Sequence, residues 1–119
     1  MAQAINPLVA VPSIIEYKER PPLMQVNAKE LARELLTPRD FKCFSAIMGK
    51  ESAWKDKKNP TSSARGIGQL LDSTMENLGM KRSKSEVAQT VAALSYIGRK
   101  YGSGGACKAW AFWKKNKYY

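Results

Sequence analysis

Glu51 ends an apolar helical stripe. Phe44, Ile47 and Met48 recur at three- and four-residue steps, and the step from Phe44 to Glu51 returns the carboxyl group to the same side of the helix. A carboxyl group walled by apolar side chains loses solvation when ionised, so its pKa rises and it can hold a proton near neutral pH. That is what a general acid requires, and glycosidic cleavage needs such a proton at the leaving oxygen. The plainer alternative is a helix-end glutamate bonded to backbone or to a lysine. Composition weighs between the two. The chain has no histidine, so neither a Ser-His-Asp nor a Cys-His arrangement can be assembled, and a metal site would lack its usual ligands. No metal and no cofactor is expected. Among the ten acidic residues, Glu51 is the one that closes an apolar stripe beside a loop dense in hydrogen-bonding groups. Asn59, Thr61, Ser62, Ser63 and Gln69 are candidates to line a polar cleft there, with Gly66 and Gly68 admitting a polymer close to the backbone.

The elements that must position this carboxylate read as helices. Residues 1–26 carry four prolines (Pro7, Pro12, Pro21, Pro22) and no helical period, which predicts an extended N-terminal arm. From Asn27, a capping residue for AKELARELL, the pattern turns helical. Thr37 with Pro38 and Asp40 starts the helix that carries Glu51. Asp72 or Ser73 is placed to cap a short helix ending at Gly79, and Ser83 with Glu86 forms a capping-box pattern. Val87, Val91, Leu94, Gly98 and Tyr101 make the expected core stripe of the next helix, which Gly102 stops. Tyr96 falls opposite that stripe, near Gln89 and Ala93, and faces either a cleft or a second helix. A last helix from about Gly105 to Asn116 sets Ala106, Ala109, Trp110 and Trp113 on one face. Trp54, Trp110 and Trp113 suit either core packing or stacking on sugar rings. The expectation is an all-α domain of about five helices over residues 27–119, preceded by the arm.

A chain of 119 residues supports one core of ordinary size. Its net charge of +10 lies wholly in residues 37–119, since the first 36 hold four charges of each sign. Such a surplus favours encounter with polyanions: nucleic acid, anionic lipid or a bacterial wall. Cys43 and Cys107 show no metal spacing, and their pairing depends on a distance the sequence does not contain. The first fifteen residues lack a basic segment and are broken by Pro7 and Pro12, so neither a signal peptide nor membrane insertion is expected.

Glu51-Ser52-Ala53-Trp54, then Gly66-Ile67-Gly68-Gln69, then Thr74 five residues after the glutamine, resemble the motifs of lytic transglycosylases that share the goose-type lysozyme fold. Tyr96-Ile97 with Lys100-Tyr101-Gly102 is similar to the family's third-helix segment. AWAFWKKNKYY is similar to the closing helix of the versions carried by phage tails and virions. The resemblance spans about residues 37–119. Gly68 stands where the family usually has methionine, Asp72 where it has proline and Trp110 where it often has tyrosine. Pro60 holds the usual place of a loop serine, for which Thr61 or Ser62 would substitute. The resemblance implies a lysozyme-like fold, Glu51 as catalytic acid and then base, and Ser62, Gln69, Tyr96 and Trp110 as substrate-binding residues. It implies cleavage of the bond between N-acetylmuramic acid and N-acetylglucosamine in peptidoglycan glycan strands. Carriage in a phage particle, with the arm tethered to virion structural proteins, would bring such an enzyme to the wall. The rival expectations are a catalytically inactive virion protein of the same fold and a basic nucleic-acid-binding protein.

Overall fold

In the computed structural model, residues 27–119 are described, and they form five helices: α1 (Ala28–Leu35), α2 (Pro38–Ser52), α3 (Asp72–Leu78), α4 (Glu86–Tyr101) and α5 (Ala106–Asn116). The all-α expectation holds, whereas the arm anticipated over residues 1–26 lies outside the described residues. Helix starts follow side-chain chemistry. The Asn27 side chain accepts the Glu30 N–H at 2.8 Å, and Thr37 Oγ1 accepts the Asp40 N–H at 3.2 Å ahead of Pro38. Each satisfies a donor that the first turn of a helix leaves unpaired.

Two starts differ from the expected caps. Leu71, not Asp72 or Ser73, occupies the cap position of α3; Asp72 is its first helical residue, and its N–H is satisfied from outside by Ser63 Oγ at 3.0 Å. Ser85, not Ser83, caps α4 by accepting the Ala88 N–H at 3.1 Å, while Ser83 Oγ accepts the Ser85 N–H. In both places a hydroxyl outside the helix, Ser63 or Ser83, takes up an N–H at the helix start, as short polar side chains near a helix end readily do.

Helix α2 buries Phe44, Ile47, Met48 and Ser52, the stripe read from the sequence with Ser52 added. Its end is abrupt. Ala53 and Trp54 take left-handed backbone at φ 55° and 61°, and their N–H groups bond back to Gly49 and Met48 carbonyls. Such conformations cost on the order of 1–3 kcal/mol at a non-glycine residue. They are held by the Trp54 ring, which packs edge-on against Phe44 at 5.7 Å and donates to Ser45 Oγ.

Helix α4 presents a different face from the one expected. Thr90, Ala92, Ala93 and Ile97 are buried, whereas Val91 is 37 % exposed and Gly98 is exposed. The core face is turned by one residue from the Val91–Leu94–Gly98 row, about 100° around the helix. Small side chains explain the choice. The Gly66–Gln69 turn packs so closely on α4 that a Cβ added at Gly68 would lie 2.8 Å from Ala93 Cβ. Gly66, at φ +85°, faces the Gln89 side chain in the same way. Both glycines thus admit a helix rather than the substrate polymer anticipated from the sequence.

Helices α2 and α5 share the most extensive helix–helix contact and are stapled by a disulfide between Cys43 and Cys107. Beyond α5, Lys117 reverses the chain at φ 67°, and Tyr119 inserts its ring into the core at 8 % exposure. No described helix is long and apolar enough to cross a membrane. Because the disulfide closes a long loop between the two packed helices, reduction, or the paired change Cys43→Ser/Cys107→Ser, should lower the unfolding free energy by about 2–4 kcal/mol. An unchanged urea midpoint under reducing conditions would show that packing alone holds α2 on α5.

Candidate active site

A short irregular turn decides where Glu51 sits. Residues Gly66–Gln69 form no helix or strand, yet Ile67 is fully buried, so its peptide groups need partners other than water. Side chains from separate elements supply them. Gln89 Oε1 on α4 accepts the Ile67 N–H at 2.9 Å, Ser52 Oγ on α2 donates to the Ile67 carbonyl at 2.6 Å, and the Tyr119 hydroxyl donates to the Gly68 carbonyl. Ser52 is the residue after Glu51, so this bond ties the acid's end of α2 to the turn.

Glu51 is half-buried at that junction and lines a cleft of about 310 Å3. The cleft wall includes Asn59, Gln69, Thr74, Tyr96 and Tyr118. Among the described residues Glu51 is the one acidic side chain in this lining. Burial pushes its pKa above the ordinary glutamate value; a bond from Trp113 Nε1–H to Oε2, at 2.7 Å, pulls the other way. Desolvation is the larger influence, so Glu51 takes up a proton more readily than an ordinary glutamate, while the indole donor favours the carboxylate. The Tyr119 hydroxyl is held protonated by burial and, secondarily, by the nearby charge of Glu51. It therefore remains a donor to Gly68.

The residues singled out from the sequence divide. Gln69 lines the cleft with its backbone at φ 51°, and its Nε2 donates to the Lys57 and Gly66 carbonyls at 2.8 and 2.9 Å. It secures the loop and borders the cavity at once. Tyr96 also lines the cleft, donates to a main-chain oxygen of Tyr119 at 2.8 Å and accepts from Lys100 Nζ at 3.1 Å. Ser62 is not brought there: it is exposed, and its Oγ accepts the Ala64 N–H in a local turn. Thr61 and Ser63 are likewise spent on fastening the loop, to Asn59 and to the Asp72 N–H, so of the polar loop residues only Asn59 joins Gln69 at the wall. Trp110 does not line the cleft either; it stacks on Trp113 at 5.6 Å and reaches the acid only through that ring. Neither Asp72 nor Asp56 joins Glu51 as a second carboxylate: Asp72 is paired with Arg82 at 2.8 Å, and Asp56 lines another groove.

Sequence reading missed the hydrogen-bonding role of Trp113 and the contribution of Tyr118 and Tyr119 to the cleft. Helical spacing put Trp113 among core candidates, and nothing in a linear pattern marks which tryptophan turns its N–H toward a carboxylate on another helix. Comparison with known protein families, curated proteins and solved structures finds no match.

Two outcomes follow from the electrostatics. Trp113→Phe removes the bond that favours the carboxylate, so the Glu51 pKa should rise, as followed by carbon NMR of the side-chain carboxyl; a fall would mean that the indole acts mainly by excluding water. The folded state also binds the Glu51 proton more tightly than the unfolded chain does. Stability should therefore decline as pH rises from the unfolded glutamate value, about 4.3, through the higher folded value. Denaturation curves of Glu51→Gln should show a shallower decline across that window, and parallel profiles would place the pH dependence elsewhere.

Proposed function

We propose that this chain is a peptidoglycan lytic transglycosylase with a lysozyme-like helical domain, and that Glu51 is its acid and then its base. One observation carries the reading. A carboxyl group whose pKa is raised by burial borders a cleft walled by amide, hydroxyl and aromatic side chains, the surface a polysaccharide needs. The motif resemblance over residues 37–119 supplies the reaction.

In that reaction the Glu51 carboxyl group, through the oxygen not bonded to Trp113, passes its proton to the oxygen bridging muramic acid C1 and N-acetylglucosamine. The C1–O bond breaks with oxocarbenium character at C1. The resulting Glu51 carboxylate, now favoured by the indole N–H, takes the proton from the muramic acid 6-hydroxyl. O6 bonds to C1 and closes a 1,6-anhydro ring. Glu51 returns to its starting state, and neither water nor a second carboxylate is consumed. Gln69 and Thr74 provide hydrogen bonds along the glycan, and the exposed Tyr118 ring offers a face for a sugar.

Gly68, in the place of the family's usual methionine, fits the same reading. The Tyr119 hydroxyl would lie 2.9 Å from a Cβ at that position, so the closing tyrosine occupies space that a longer side chain would need. We further assign the protein to a phage particle acting at the bacterial wall during entry, with residues 1–26 as the tether to virion proteins. A disulfide suits such an oxidising, extracellular setting.

Purified wall digested by the protein should yield fragments ending in 1,6-anhydromuramic acid, identified by mass spectrometry. Glu51→Gln keeps an acceptor for Trp113 and should reduce the yield by at least about 100-fold, the usual scale for a lost acid–base group. Reducing-end products would instead indicate hydrolysis, and no release of either kind would support the inactive virion protein.

A further inference from the structure

The described residues enclose a second recess besides the cleft at Glu51. A groove of about 440 Å3 opens between the loop preceding α3 and the first turns of α4. Its floor is apolar and small, with Leu70, Met75, Ala88 and Ala92. Its rim is cationic: Lys58, Arg65, Lys81 and Lys84 stand there with Arg82, against Asp56 as the one acid of the lining. Arg82 is committed to structure, donating to Asp72 Oδ1 and to the Ser63 and Leu70 carbonyls. The other four cations are exposed, and none has an ion-pair partner among the described residues.

Four like charges around one recess cost Coulomb energy in the free protein, and a bound anion would relieve it. The floor adds a second requirement. A ligand that filled the groove would have carboxylates at its edges and small apolar side chains between them. The position adds a third. Arg65, Gly66, Gly68 and Leu70 line this groove, while Ala64, Gln69, Leu70 and Leu71 line the Glu51 cleft. The segment from residue 64 to 71 is thus a common wall, one side facing each cavity.

We propose that this groove binds the short acidic, alanine-containing peptide that branches from the muramic acid of the glycan strand. The proposal rests on the transglycosylase reading, because it takes the strand in the Glu51 cleft to send its peptide across the shared wall. The groove then makes the enzyme prefer peptide-bearing strands, and Lys81 and Lys84 are specificity residues for the carboxylates.

The test uses the full chain and two separate measurements. In the first, the sugar-free peptide Ala-γ-Glu-diaminopimelate-Ala is titrated into labelled protein and followed by amide NMR. Saturable shifts are expected around Lys58, Arg65 and residues 81–92. Affinity should fall at least tenfold in Lys81→Gln/Lys84→Gln and with a peptide whose carboxylates are amidated, and should be unchanged in Glu51→Gln. Absence of shifts in the groove, or equal binding by the double variant, overturns the proposal. So does a single-stranded oligonucleotide that saturates the same residues more tightly than the peptide. In the second measurement, wild type and double variant are compared on glycan strands with and without peptides. The double variant should lose several-fold in kcat/KM on peptide-bearing strands and match wild type on stripped ones. Failure of wild type to cleave either strand would overturn the transglycosylase reading alone, since the peptide titration judges the groove independently.

Discussion

The fold depends on one constraint, that the backbone of a buried irregular turn must find hydrogen-bond partners. Ile67 is inserted where water cannot follow, and neither a helix nor a strand supplies partners for its peptide groups. Ser52 from α2 and Gln89 from α4 do so instead, and Tyr119 from the closing segment serves the adjoining Gly68 carbonyl. An unmade bond of this kind costs about 1–3 kcal/mol, so three elements are drawn to one point by polar necessity as well as by apolar burial. The glycines flanking Ile67 allow the approach. Their want of a side chain is what lets α4 come close enough for Gln89 and Ala93 to meet the turn.

The electrostatic character of Glu51 is a by-product of that assembly. Ser52 anchors the last turn of α2, the left-handed residues Ala53 and Trp54 stop the helix at once, and Glu51 is left at the boundary between core and cleft. Burial raises its pKa, and the indole of Trp113 moderates the rise. The indole comes from α5, which the Cys43–Cys107 disulfide fastens to the same helix that carries Glu51. The covalent link and the acid's hydrogen bond therefore join the same two elements. Under the proposed chemistry, a group that must hold a proton and then release it benefits from such opposed influences, because neither state is strongly disfavoured.

Charge is distributed with similar asymmetry. The Glu51 cleft is lined chiefly by neutral polar and aromatic groups, with Lys117 as its cation, whereas the neighbouring groove concentrates basic side chains on an apolar floor. The groove lining thus sets five basic side chains against one acid, whereas the cleft lining has one of each. For a neutral glycan that carries acidic branches, this is the arrangement physical complementarity favours.

Much of the architecture was legible beforehand. The stripe Phe44, Ile47 and Met48 with Glu51 beside them, the caps at Asn27 and Thr37, and the five helices all follow from periodicity and capping chemistry, which act within a few residues. The core face of α4 did not, because both of its sides carry apolar residues and the choice fell to whichever could meet the turn most closely. Ser62 and Trp110 were equally undetermined: a loop hydroxyl can serve a cleft or its own backbone, and one of two tryptophans on a face can meet the acid while its neighbour only stacks. The sequence alone determined which residue types were available for chemistry, with a glutamate and no histidine, and the local helical phase that turns Glu51 toward the apolar side. Only the tertiary structure decided that Trp113 bonds this carboxylate, that Ser52, Gln89 and Tyr119 close the turn, and that the two cysteines meet. Those contacts join residues far apart in the chain, and their distances depend on how whole helices pack.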